Sequence, residues 1–136
     1  MSSAVRTWIS STLAAETTAL AAARVVLARH DQLDVCRALD RIGSQLQQAV
    51  RHALEPHDLG IGVHGPSVMW RLTAEQEPRL DALVAECARR GLLLKRGAYQ
   101  FAALAHDQAA VAAVRAIVSD AAAQVRGRVS PLPPEV

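Results

Sequence analysis

The sequence predicts an α+β domain, a small antiparallel sheet of three to four strands covered by about four helices. Three observations predict it. Long stretches carry apolar residues at helical spacing, and short alternating runs punctuated by glycine and proline lie between them. Their order along the chain is helix, helix, strand, strand, helix, strand or hairpin, helix, which suits helices laid over one face of a sheet.

The first helix is expected from Thr12 to about Asp31, with Leu13, Leu20, Ala23, Val26, Leu27 and His30 near one face and Arg24 and Arg29 away from it. Asp34 is a suitable N-cap for a second, running to about Leu54 with Leu39, Ile42, Leu46 and Val50 as its stripe, and Pro56 ends it. Between Leu59 and Leu72 the pattern changes. Gly60, Gly62, Gly65 and Pro66 punctuate two alternating runs, Ile61–Val63 and Val68–Trp70–Leu72, which read as strands around a turn or bulge. A third helix is expected from Thr73, with Pro78 in its first turn, Leu80, Leu83, Val84 and Cys87 inward, and Gly91 at its C-terminal cap. Leu92–Leu94 and Tyr99–Ala102 supply the remaining strand material around a turn at Arg96–Gly97. The last helix opens after Asp107 and runs to about Arg126.

Composition bounds the rest. A chain of 136 residues with 51% hydrophobic and 21% charged side chains suits one folded domain, here residues 1–129, followed by a loose Pro-rich tail at 130–136. Aromatics are only 3% and the apolar content is mostly alanine, leucine and valine, so the core is expected to be thin and helix-rich. A net charge of +2 with no basic stripe argues against a nucleic-acid surface. No apolar run reaches the roughly 20 residues of a membrane span. Ser10, Ser11, Thr12, Glu16 and Thr17 interrupt the one stretch that could form a cleaved targeting peptide. The expected location is the cytoplasm, with Cys36 and Cys87 as free, buried thiols.

Sites for chemistry are sparse. His30, His52, His57, His64 and His106 include no helical pair flanking a glutamate, and neither cysteine has histidine ligands nearby, so no metal site is expected. There is no nucleophile elbow. The stretch from Gly60 to Gly65 lacks the spacing and following helix of a phosphate loop, and no two acids form a catalytic pair. Lys95, the single lysine, stands beside Arg96 and a turn glycine, where a solvated surface role is favoured over a desolvated, reactive one. A complete small enzyme is not indicated, because no nucleophile–base set is visible.

Two segments are more particular. One is Trp8-Ile9-Ser10-Ser11-Thr12-Leu13-Ala14-Ala15-Glu16, continuing through an alanine-rich run to Ala23. The other is Gly91-Leu92-Leu93-Leu94-Lys95-Arg96-Gly97-Ala98-Tyr99-Gln100-Phe101, continuing to His106-Asp107. With His64–Leu72 between them, they resemble the C-terminal part of class III pyridoxal-phosphate-dependent aminotransferases, especially the glutamate-1-semialdehyde aminomutase-like branch. The likeness runs in register from about Trp8 to Arg126.

The resemblance implies the small C-terminal domain of such an enzyme, packed beside a larger, lysine-bearing domain that holds pyridoxal phosphate. It implies a dimer in which the threonine of the Ser-Thr turn, here Thr12 beside Ser11, reaches the cofactor phosphate of the neighbouring subunit. Hydroxyls and backbone N–H groups at a helix N-terminus suit an anion, although the same residues also serve as a plain helix cap. Arg96 and Tyr99 would stand at the rim of the substrate entrance. The sequence departs from the family in three places. Ala14-Ala15 replaces a glycine pair, Gln100 stands near the usual asparagine, and Asp107 replaces a threonine.

The family's cofactor-binding lysine, its pyridine-nitrogen aspartate and its phosphate turn belong to the large domain, and Lys95 does not match that lysine. The expected partner is therefore either a large-domain polypeptide that brings pyridoxal phosphate or a second copy of this chain, with the first helix as a contact. The alternative is a non-catalytic remnant that self-associates or binds a partner. No cofactor is expected on the isolated chain.

Overall fold

A computed structural model describes residues 16–128. It contains four helices and a three-stranded antiparallel sheet, the fold class expected. The contacts group the chain into two compact units that divide between Val35 and Cys36, each described by itself below. The tail at 130–136 lies outside the described residues.

The first unit holds α1, Thr17–Gln32. The helix begins at Thr17, later than its apolar spacing suggests, because Glu16 is extended and its carboxylate accepts from Thr18 N–H at 3.2 Å and Ala19 N–H at 2.7 Å. These bonds satisfy amides that the first turn would otherwise leave open. The Thr18 and Ala19 bonds also hold the Glu16 carboxyl below its usual range. No residue of α1 is buried, and its apolar stripe stays open, with Leu20 59%, Val26 55% and Leu27 65% exposed.

The second unit holds α2 (Val35–Leu54, entering from the boundary), β1 (Ile61–His64), β2 (Met69–Ala74), α3 (Glu77–Arg89), β3 (Gln100–Phe101) and α4 (Gln108–Arg128). Helix α2 opens directly after Asp34 and gives way to a single 3-10 turn at Glu55–His57, where Pro56 cannot continue the α ladder. β1 pairs with β2 from Ile61 opposite Ala74 to His64 opposite Arg71, and β2 pairs with β3 at Met69–Phe101 and Trp70–Gln100. Along β2 the burial alternates, with Trp70 and Leu72 inward and Arg71 outward, so one face of the sheet meets the core. Ile42, Leu46 and Val50 of α2, Leu80 and Leu83 of α3, and Val118 and Val125 of α4 close over that face.

Several boundaries differ from the sequence reading, each for a local reason. Thr73 and Ala74 remain in β2, because Gly62 and Ile61 pair with them, so α3 starts at Glu77 with Pro78 in its first turn. Gly91 takes φ +86 just past α3, while Leu92 N–H reaches the Cys87 carbonyl and Gly91 N–H that of Ala88, both at 3.0 Å. This is a Schellman closure that a glycine in the left-handed region permits. Leu92–Leu94 alternates half-buried and exposed but forms no ladder, and β3 is shorter than the expected Tyr99–Ala102. Asp107 does cap α4, its Oδ1 accepting from Ala110 N–H at 2.8 Å.

The cysteines differ from each other, and only one is buried as expected. Cys87 is fully buried, and the loss of solvation pushes its thiol up to about 11, whereas Cys36 is exposed. A thiol reagent at mildly alkaline pH is expected to modify Cys36 at once and Cys87 only after unfolding. The linkage has a definite sign. The unfolded thiol ionises near 9.0 and the folded one near 11, so the native state loses stability as pH rises across that window. A Cys87→Ala variant should lack that component, which pH-dependent urea unfolding reads directly.

Candidate functional site

The segment that carries the most distinctive sequence, Gly91–Asp107, forms a loop, a short strand and the lead-in to α4. Its organiser is Gln100. The side chain is 9% exposed, its Oε1 accepts from Lys95 N–H at 3.0 Å, and its Nε2 donates to the carbonyls of Lys95 at 2.8 Å and Ala98 at 3.4 Å. A buried amide satisfied in this way stands in for a strand neighbour and holds the turn in place, with Gly97 at φ +67. Sequence reasoning treated Gln100 only as a departure from a family asparagine. The signal that could have found it is a polar residue at an inward position of a strand, which must find partners.

Arg96 sits on that turn but is not a free cation. Its guanidinium bonds Asp81 and lies 2.6 Å from Glu77, both on α3. The bond to Asp81 raises the Arg96 pKa and lowers that of Asp81. A carboxylate ligand would have to displace these partners, and at such exposure each pair is worth little in stability. Tyr99 is 43% exposed on the same loop. Lys95 places Nζ 5.1 Å from the centroid of the Phe101 ring. His106 accepts from Ala103 N–H through Nδ1 at 3.0 Å, which assigns the proton to Nε2.

Beneath the loop lies a cavity of about 270 Å³ walled by Leu46, Trp70, Leu92, Leu94, Gln100 and Val114. The Trp70 indole N–H is buried without a hydrogen-bond partner among the described residues. On the other side of the sheet's turn, Gln47 of α2 is buried and donates to the carbonyls of Gly65 at 3.0 Å and Pro66 at 3.1 Å. Gln47 Oε1 in turn accepts from Arg51, whose guanidinium also reaches the Val63 carbonyl at 3.1 Å. These bonds fix the β1–β2 turn to α2, and the helical stripe of the sequence gave no sign of them.

The expected site residues therefore separate. Arg96 and Tyr99 share one loop, whereas Ser11 and Thr12 lie outside the described residues. The amino end of α1 is capped by Glu16. Lys95 is exposed beside an aromatic ring, not enclosed in a desolvated pocket, so the described residues do not fit a covalent holder for pyridoxal phosphate. Among the described residues no group of His, Cys, Asp and Glu could hold a metal ion, and no helix is long and apolar enough to cross a membrane. No protein-family model matches the chain, and no curated protein matches it.

Proposed function

We propose that this chain is the C-terminal small domain of a class III pyridoxal-phosphate-dependent aminotransferase or aminomutase, of the glutamate-1-semialdehyde aminomutase-like kind. It acts only with a lysine-bearing large-domain polypeptide. The observation that carries the reading is that two of the three resembling segments, His64–Leu72 and Gly91–Asp107, meet as neighbouring strands, with Trp70 opposite Gln100. The α+β order with a small antiparallel sheet also suits such a domain. Ser11 and Thr12 are the candidate phosphate contacts, and Arg96 and Tyr99 the candidate entrance residues. Pyridoxal phosphate would supply the amino-transfer chemistry, and the large domain its covalent anchor.

A second reading, a self-associating or partner-binding remnant, is favoured by the exposed apolar side chains of the second unit. Leu93, Tyr99, Phe101 and Leu104, at β3 and its flanking loops, are 43–83% exposed, and Val68, just before β2, is 38% exposed. Sedimentation separates the two. Mixing the chain with the isolated large domain of a class III aminotransferase is expected to give a stable complex. A homo-oligomer that ignores the large domain would support the remnant instead.

A further inference from the structure

Among the described residues the outer margin of β1 is unpaired, and it faces a cleft. The sheet order β1-β2-β3 leaves β1 at an edge. A hydrogen bond from Glu75 N–H to the Gly60 carbonyl, 3.0 Å, sets the phase of the ladder. Antiparallel positions alternate between bonded and non-bonded pairs. Gly62 and His64 therefore bond their partners Thr73 and Arg71, while Ile61 and Val63 turn their N–H and C=O groups outward. The opposite side of β2 agrees. Ala102 N–H bonds the Val68 carbonyl at 3.1 Å, so the even-numbered residues of β2 face β3 and the odd-numbered ones face β1. The Val63 carbonyl is taken by Arg51 at 3.1 Å, as an outward group should be. Both groups of Ile61 and the N–H of Val63 have no partner among the described residues.

These open groups line a cleft of about 620 Å³ whose wall also includes Leu54, Glu55, Asp58 and Glu75. Glu75 leans over Gly60, with a carboxylate oxygen 3.1 Å from where a Cβ would stand. None of the three acids has an ion-pair partner among the described residues, while Arg51, the one arginine in the wall, is bonded to Val63 and Gln47. At its margin the guanidinium groups of Arg79 and Arg126 are engaged by the carbonyls of Leu59 at 3.4 Å and Pro56 at 3.0 Å. The cleft thus combines an unsatisfied strand edge with three unpaired carboxylates. An extended backbone satisfies the first and cationic side chains satisfy the second.

We infer that this cleft binds an extended, lysine- or arginine-bearing segment of a partner protein, which adds to β1 as a fourth strand. Its backbone bonds Ile61 and Val63, and alternate basic side chains reach Glu55, Asp58 and Glu75. An acidic segment would meet like charge and be rejected. The inference is independent of the coenzyme reading.

Amide hydrogen exchange on the full chain tests it, with a short valine–threonine peptide carrying lysines as the probe. At saturation the Ile61 and Val63 amides are expected to slow by about tenfold or more, while Gly62 and His64, already bonded within the sheet, do not change. The same peptide with glutamate in place of lysine is expected to leave all four unchanged. The combined Glu55→Gln, Asp58→Asn and Glu75→Gln variant alters only exposed side chains and should weaken the lysine peptide by about tenfold. Unchanged exchange at Ile61 and Val63, or equal protection by the glutamate peptide, would overturn the inference. Protection that rises with protein concentration in the absence of peptide would overturn it too, by identifying a second copy as the occupant.

Discussion

Leu83→Ala is expected to destabilise the second unit by about 3–5 kcal/mol, because it removes a fully buried side chain where α3 packs on α4 and β2. Leu83 belongs to the same buried cluster as Val50, Leu72 and Val118, so truncation opens a void bounded by several elements. With an Ala-rich α4, the chain has few bulky side chains able to move in and close it. Urea unfolding should show a lower midpoint at an unchanged slope. A loss below about 1 kcal/mol would mean that Leu83 is not central to the core.

Gly43→Ala should cost about 2 kcal/mol or more, against the ordinary expectation for a glycine within a helix. Elsewhere in an exposed helix the same change would gain up to about 1 kcal/mol of propensity. Here an added Cβ would stand 2.0 Å from the Ser67 carbonyl oxygen and 2.5 Å from its carbon, both backbone atoms that cannot rotate away. Helix α2 would have to withdraw from the β1–β2 turn, stretching the bonds that Gln47 gives to Gly65 and Pro66. Faster exchange in the turn, together with the lost stability, is the expected signature. A stabilised variant would contradict the close approach.

Gly43 also shows where sequence reading stops. Periodicity placed Ile42, Leu46 and Val50 on the buried face of α2 and Leu80, Leu83 and Cys87 on that of α3, because burial repeats with the helical turn. Glycine and proline marked the turn after β1 and the ends of α2 and α3, where backbone geometry is a local property. Non-local pairing was less visible. Thr73 and Ala74 belong to a strand only because Ile61 and Gly62 lie opposite, and Leu92–Leu94 lacks a ladder although its composition suits one. The α1 stripe was legible as a pattern, yet no residue of it is buried, since spacing reveals an apolar face but not what covers it.

The candidate site was legible in part. Arg96 and Tyr99 do share a loop, but the ion pairs that occupy Arg96 come from Glu77 and Asp81, far from it in sequence. The structural work of Gln100 and Gln47 depends on carbonyls that no local pattern discloses.

Titration of pyridoxal phosphate into the chain, with and without a lysine-bearing class III large domain, tests the central claim most directly. The chain alone is expected to leave the coenzyme absorbance unchanged. The equimolar mixture should shift it and recover amino-transfer activity above that of the large domain, and a Lys95→Arg variant should do so equally well. A spectral change with the chain alone, or a mixture indistinguishable from the large domain by itself, would contradict the assignment.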